Sequence, residues 1–288
     1  MDFIRKPKED KPVLAICYDF DRTLSPDDMQ AQGYIQSVGF DVDQFWKESN
    51  EVAVANDMDS NLAYMLKMVQ EAEGNLVLTR KALAEYGSHV RLFPGVAEWF
   101  GRIRDYGKDH DVIVEHYIIS SGLKEMIEGT AIAGEFEKIY ASSFYYNERG
   151  VAKWPAQAIN YTTKTQLLFR IEKGVLDVND QAVNHYFPPD KMRVPFRNIV
   201  YLGDSATDIP CMKLVNINGG HAIGVYNPET GDKSMVKKML REDRIKYFAP
   251  ADYRENSPLD ILVRQIIRKT AEYEKLEDWH NANLNEKD

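Results

Sequence analysis

The hydrophobic pattern opens with an unbroken apolar run at 13–18, VLAICY, which shows no polar face. Its length and partly β-branched composition predict a strand buried on both faces. No such run recurs for some distance. Stretches 26–38, 42–56, 60–72 and 79–87 lack alternation and predict helices, with breaks at Gly39, near Asp57 and at Gly74-Asn75. Within NLAYMLKMVQ (61–70), Leu62, Met65, Leu66 and Val69 share one helical face, as packing in a bundle requires.

The pattern then changes. Phe93-Pro94-Gly95 leads into a helix over 96–106. A strand is predicted over 112–120, ending at Ser120-Ser121-Gly122, with a short helix over 123–129. A third strand spans 136–143, and 145–154 reads as a hairpin turning at 147–150. INYTTKTQLLFRI predicts a helix capped by Thr162 or Thr163, with Lys164 in its first turn. Residues 174–197 are irregular and carry Pro188, Pro189 and Pro195. Further strands are predicted at 198–203, 222–225 and 245–248, a helix beginning over 210–214, and a final amphipathic helix over 259–275. The basic stretch 233–246 reads as a solvated helix face.

Composition narrows the possibilities. The 288 residues suffice for a large α/β domain or a core with an insert. Hydrophobic content of 44% and charged content of 28% are those of an ordinary globular chain. The net charge of −9 excludes a general nucleic-acid surface, which needs a basic face. Cys17 and Cys211 form no metal motif and read as free thiols. The first twelve residues, MDFIRKPKEDKP, have no apolar signal core, and no run approaches eighteen apolar residues. The expected location is the cytoplasm, with no membrane partner. No feature sets an oligomeric state.

Candidate chemistry begins where the first strand ends. Asp19 and Asp21 follow it directly, two residues apart and so on the same side. The end of a strand in an open α/β sheet is where such folds place ligands. Two adjacent carboxylates need a divalent cation, a shared proton or solvent. Asp41/Asp43 and Asp57/Asp59 have the same spacing but polar, helix-like surroundings, where aspartate caps or faces water. Asp57, Asp59 and Asn61 do not make a calcium loop, because the turn glycine is missing and the twelfth position is Met68. Gly219-Gly220-His221 precedes a strand and lacks dinucleotide-loop spacing.

DFDRTL resembles the first motif of the haloacid dehalogenase superfamily in its phosphatase form, Asp-x-Asp-x-Thr. Three further matches follow in order: Ser120 after a strand, Lys164 at a helix start, and Gly203-Asp204-Ser205-Ala206-Thr207-Asp208 after another strand. Lys153 and Lys173 are rivals to Lys164, but one sits in the hairpin and the other at a helix end. The resemblance implies an α/β fold: a Rossmann-like three-layer parallel sheet core, residues 1–25 and 92–288, with an all-helical cap inserted at 26–91. It implies Mg2+ and a small phosphorylated metabolite as substrate. Asp19 would be the nucleophile and Asp21 the general acid and base. Thr23 would support the loop, and Ser120, Ser121 and Lys164 would bind the phosphoryl oxygens. Asp19, the Asp21 carbonyl and Asp204 would hold the metal, with Asp208 supporting a water on the metal or Lys164. A dehalogenase lacks the second acid, so Asp21 argues against one. A phosphonate hydrolase would need a cap lysine, for which Lys47, Lys67 and Lys81 are candidates. A phosphotransferase or mutase shares the core motifs, and a non-catalytic relative would not need the intact set. Trp46, Tyr64 and Arg80 are the cap candidates to line the pocket, although core packing explains the first two equally well.

Overall fold

The computed structural model describes residues 3–286. β1 (Val13–Tyr18) is the middle of a seven-stranded sheet. The other strands are β2 (Ile113–Leu123), β3 (Lys138–Tyr146), β4 (Ala152–Gln157), β5 (Ile199–Gly203), β6 (His221–Tyr226) and β7 (Tyr247–Pro250). Their order is β4-β3-β2-β1-β5-β6-β7. Every pairing is parallel except β3 with β4, the hairpin at one edge.

All six residues of β1 are buried. Alternation divides them between two cores. Leu14, Ile16 and Tyr18 join one hydrophobic cluster; Val13, Ala15 and Cys17 join the other. The first core takes α5 (Val96–Lys108), α6 (Lys124–Gly129) and α10 (Pro258–Asn285), with side chains such as Trp99, Met126 and Val263. The second takes α7 (Tyr161–Lys173), α8 (Ile209–Ile217) and α9 (Ser234–Arg241), through Leu168, Met212 and Met239. Three layers result, and the same alternation turns Asp19 toward the α7–α8 side. Both cysteines are buried and free. Among the described residues no helix is long and apolar enough to cross a membrane.

Between β1 and α5 lie α1 (Tyr34–Ser37), α2 (Val42–Ala55), α3 (Ser60–Ala72) and α4 (Arg80–Ser88). Asp41 and Asp59 cap α2 and α3, accepting from the Gln44 amide and from the Asn61 and Leu62 amides. The helix expected over 26–38 is instead two short turns, Met29–Ala31 and α1. Asp21 Oδ1 takes the Met29 amide at 2.8 Å, and Gly33 sits at φ +129°, so no continuous helix can form.

Other boundaries differ as well. β2 continues through Ser120 and Ser121 to Leu123, because Leu123 pairs with Ser142 after an irregularity. Ser120 therefore caps no helix. The cap of α7 is Asn160, not Thr162 or Thr163; its side chain accepts from both of their amides, and Thr163 Oγ1 accepts from the Asn160 amide in return. α10 runs ten residues past its expected end.

α4 packs backbone to backbone on α6. A Cβ on Gly87 would stand 1.9 Å from the Met126 carbonyl oxygen, and one on Gly129 1.9 Å from that of Ala84. Neither neighbour is a flexible side chain, so the helices must part. Gly87→Ala or Gly129→Ala is expected to destabilise the protein by about 1–3 kcal/mol, the usual cost of overpacking. Thermal melts check this, and an unchanged Tm would contradict the close packing.

Candidate active site

The tight turn after β1 starts the site. The Phe20 carbonyl accepts the amides of Thr23, Leu24 and Ser25. Arg22 takes a left-handed φ of +57°, uncommon for a residue with a side chain. The turn leaves Asp19 and Asp21 on the wall of a cavity of ≈ 260 Å³. Ser120, Ser121 and Gly122 form another part of its wall, and Asp204, Ser205 and Thr207 a third. The ends of β1, β2 and β5 therefore meet at one place, as parallel neighbours must.

Behind the wall lies Lys164, fully buried. Its Nζ is 2.8 Å from Asp208 Oδ1 and 3.3 Å from Asp19 Oδ2. Asp208 is saturated: Oδ1 also accepts from the Tyr201 hydroxyl at 2.8 Å, and Oδ2 accepts from the Ser205 amide and hydroxyl. Asp19 Oδ1 accepts from the Phe20 amide at 2.8 Å. No hydrogen bond engages the Asp204 carboxylate among the described residues.

Oxygens of Asp19, Asp204 and Asp208 lie within 4.8 Å of one another. One lysine cannot balance three carboxylates, and an all-oxygen donor set suits a hard divalent cation. The donor chemistry fits Mg2+, with Asp204 and Asp19 as the carboxylates open to it. The Asp21 carboxylate stands outside this cluster, held by the Met29 amide.

Burial dominates the electrostatics. It pushes Asp19 up to about 7, with the Asp208 charge adding and Lys164 opposing. It raises Asp21 well above the usual carboxylate range, helped by the charges of Asp28 and Asp19. Asp204 is raised by burial and then by Asp208 and Asp19. Burial works against the Lys164 charge, but Asp19 and Asp208 outweigh it and its pKa rises.

Of the sequence-predicted residues, Asp19, Asp21, Ser120, Ser121 and Asp204 line the cavity and Lys164 and Asp208 stand behind it, whereas Thr23 and Arg80 do not reach it. Thr23 is wholly buried and off the cavity wall; its Oγ1 has no hydrogen-bond partner, and its carbonyl accepts from Tyr253. Trp46 and Tyr64 line the cavity, whereas Arg80 pairs with Glu128 outside it. Arg22, Asp28, Gln30 and Asn61 also line it and were not singled out for the pocket. Arg22 lay inside the first motif. Gln30 gave no sequence signal at all.

Comparison with known proteins bears on the fold. No family model matches the chain. An uncharacterised protein of Borreliella burgdorferi is 27% identical over 278 residues, covering 87% of this chain and 95% of that protein. A HAD family hydrolase of Salmonella enterica serovar Typhi superposes with a TM-score of 0.55 at 15% identity, over 90% of this chain and 73% of that one. A probable phosphoserine phosphatase of Vibrio cholerae gives 0.56 at 14% identity, over 93% and 68%. A phospho-aspartyl intermediate analogue of phosphoserine phosphatase gives 0.51 at 15% identity, over 88% and 99%. The fold is the one shared with these hydrolase and phosphatase structures. On this fold the three strand ends and α7 carry the charged groups, and the insertion after β1 supplies Trp46, Asn61 and Tyr64 to the same cavity.

Two outcomes follow from the buried charges. Lys164→Met leaves Asp208 buried without its cation and should destabilise by about 3–5 kcal/mol. Adding Asp208→Asn should cost less than the sum of the two changes, since the pair is in contact. Denaturant titration of both single variants and the double variant measures this coupling; strict additivity would contradict it.

The second outcome is a pH dependence. Asp19, Asp21 and Asp204 are raised in the folded protein, so the unfolded chain ionises them first as pH climbs. Their contribution is present below the unfolded value near 4 and is lost as pH rises through about 7, where Asp19 titrates. The cation-free protein should therefore lose stability over that window, and Mg2+ should restore it. Melts across the window with and without Mg2+ check the sign; a Tm that rises with pH in the cation-free series would reverse it.

Proposed function

We propose that the chain is a Mg2+-dependent phosphatase that hydrolyses a small phosphomonoester through an aspartyl phosphate. The observation that carries this is the meeting of Asp19, Asp204, Asp208, Lys164 and Ser120 at one cavity from four separate stretches of chain.

Asp19 attacks phosphorus with a carboxylate oxygen, and the ester bond breaks. Asp21 gives the leaving oxygen its proton, a role suited to a carboxyl whose pKa is raised by burial. Asp21 then takes a proton from the water that attacks the aspartyl phosphate, and inorganic phosphate is released. The Ser120 hydroxyl, whose oxygen accepts from the Gly122 amide at 3.0 Å and whose proton is left to donate, binds a phosphoryl oxygen, while Lys164 places a fixed positive charge behind it. Asp19, the Asp21 carbonyl and Asp204 would hold Mg2+, with Asp208 acting through Lys164. The ion, when bound, supplies charge that offsets the repulsion between carboxylates and phosphate.

The insertion over 26–91 acts as the cap. α2 and α3 bring Trp46, Asn61 and Tyr64 to the cavity, the turn before α1 adds Asp28 and Gln30, and α4, fixed on α6, serves as its anchor. The small cavity suits a metabolite rather than a polymer. The phosphonate reading lacks its lysine: Lys67 is held by Glu48 at 2.7 Å and Glu71 at 3.1 Å, and neither Lys47 nor Lys81 lines the cavity.

Phosphate release from p-nitrophenyl phosphate tests the reading. Turnover should require Mg2+ and vanish with a chelator. Asp19→Asn should abolish it, and Asp21→Asn should slow it by roughly 10²–10⁴-fold. Wild-type activity in Asp19→Asn would rule out the covalent route.

A further inference from the structure

The half of the cavity that would face the leaving alcohol has a chemistry of its own. We propose that the enzyme selects phosphomonoesters of a small, uncharged, hydroxyl-bearing alcohol, recognised by Gln30, Asn61 and the corner made by Trp46 and Tyr64. This deepens the phosphatase reading and rests on it.

The strongest observation is Gln30. It lines the cavity, is only 2% exposed, and its carboxamide has no hydrogen-bond partner among the described residues. The carboxamide faces the cavity without a protein partner, so a ligand that satisfies it gains up to about tenfold in selectivity. Asn61 adds an acceptor: its Nδ2 donates to the Ile159 carbonyl at 2.7 Å, and its Oδ1 makes no bond. Donors and acceptors thus stand together, which matches hydroxyl groups, since each can both give and accept.

Shape and charge point the same way. The Trp46 and Tyr64 rings meet edge to face, 5.8 Å apart at 69°. They present an apolar wall for the carbon side of the alcohol. Tyr64 is held in place, its hydroxyl donating to the Ser121 carbonyl at 2.8 Å. Among the described residues of the insertion that line the cavity, Gln30, Trp46, Asn61 and Tyr64 are uncharged and Asp28 alone is charged. Among the described residues the one cation on the wall, Arg22, is engaged by Asp28 at 2.9 Å. A leaving group bearing a carboxylate would meet Asp28 and Asp21 with no free cation opposite. A cationic leaving group would satisfy none of the amide N–H groups. This chain would therefore differ in selectivity from the phosphoserine phosphatases that share its fold.

The test compares kcat/KM, with Mg2+, for glycerol 2-phosphate, phosphoserine, phosphocholine and p-nitrophenyl phosphate. The glycerol ester should exceed phosphoserine and phosphocholine by about tenfold or more, one such hydrogen bond being worth up to that factor. Gln30→Leu, close in volume, should cut that preference by about 5–10-fold, mainly through KM. Gln30→Glu should move the preference toward phosphocholine. Equal or faster turnover of phosphoserine or phosphocholine by the wild type overturns the inference while leaving the phosphatase reading intact. Preference unchanged in both variants, with aryl phosphate still hydrolysed, overturns the role of Gln30. No turnover of any ester, the aryl phosphate included, overturns the phosphatase reading and this inference with it.

Discussion

The buried charge of Lys164 is the constraint on which the rest of the site depends. Alone in the interior, an ammonium would shed its proton. With Asp208 Oδ1 at 2.8 Å and Asp19 Oδ2 at 3.3 Å the Lys164 ammonium keeps its proton, and its charge opposes the upward pull of burial on Asp19. The three groups come from the end of β1, the first turn of α7 and the turn after β5. The second core must therefore pack α7 and α8 correctly before the charges can meet. Leu168, Met212 and Cys211, all fully buried, set that packing. The apolar layer fixes the geometry, and the geometry makes the charges tolerable.

The insertion is joined to this arrangement at its most sensitive point. Asn160, which caps α7, donates through Nδ2 to Asp59 Oδ2 at 2.9 Å. The other oxygen of Asp59 caps α3. Asn61 reaches the Ile159 carbonyl, and Tyr64 reaches that of Ser121. The starts of α3 and α7 thus hold each other, and α3 is preset as a wall above the phosphate end. Swinging α3 away would break these bonds at roughly 0.5–1.5 kcal/mol each. Such a wall costs little ordering when a ligand arrives.

Much of this was legible in the sequence because its physics is local. A six-residue apolar run with no polar face can only be a central strand, and parity along it settles which way Asp19 points. Aspartates at helix starts read correctly as caps at Asp41 and Asp59. What failed was non-local. The turn over 26–38 is decided by Asp21 taking the Met29 amide, eight residues away. β2 overruns Ser120 because β3 continues the pairing. Asn160 outcompetes Thr162 and Thr163 because Thr163, three residues on, can return its bond. Thr23 matched a motif, yet its side chain faces the interior.

The two ends of the cavity differ in the same respect. The phosphate end is built from residues at strand ends, where alternation and strand order fix direction before any tertiary detail is known. The alcohol end is built from Trp46 and Tyr64 on neighbouring helices and from Gln30 in a short turn. Core packing and a place on the pocket explain Tyr64 equally well from the sequence, because helical periodicity does not distinguish a face buried by protein from one facing a cavity. Hydropathy gives the same signal for both. Only unmet hydrogen-bonding capacity separates them, and that becomes visible once every neighbour is in place. Gln30 illustrates the point: as a letter in the sequence it is an ordinary polar residue, and in the fold it is a buried amide that still lacks a partner.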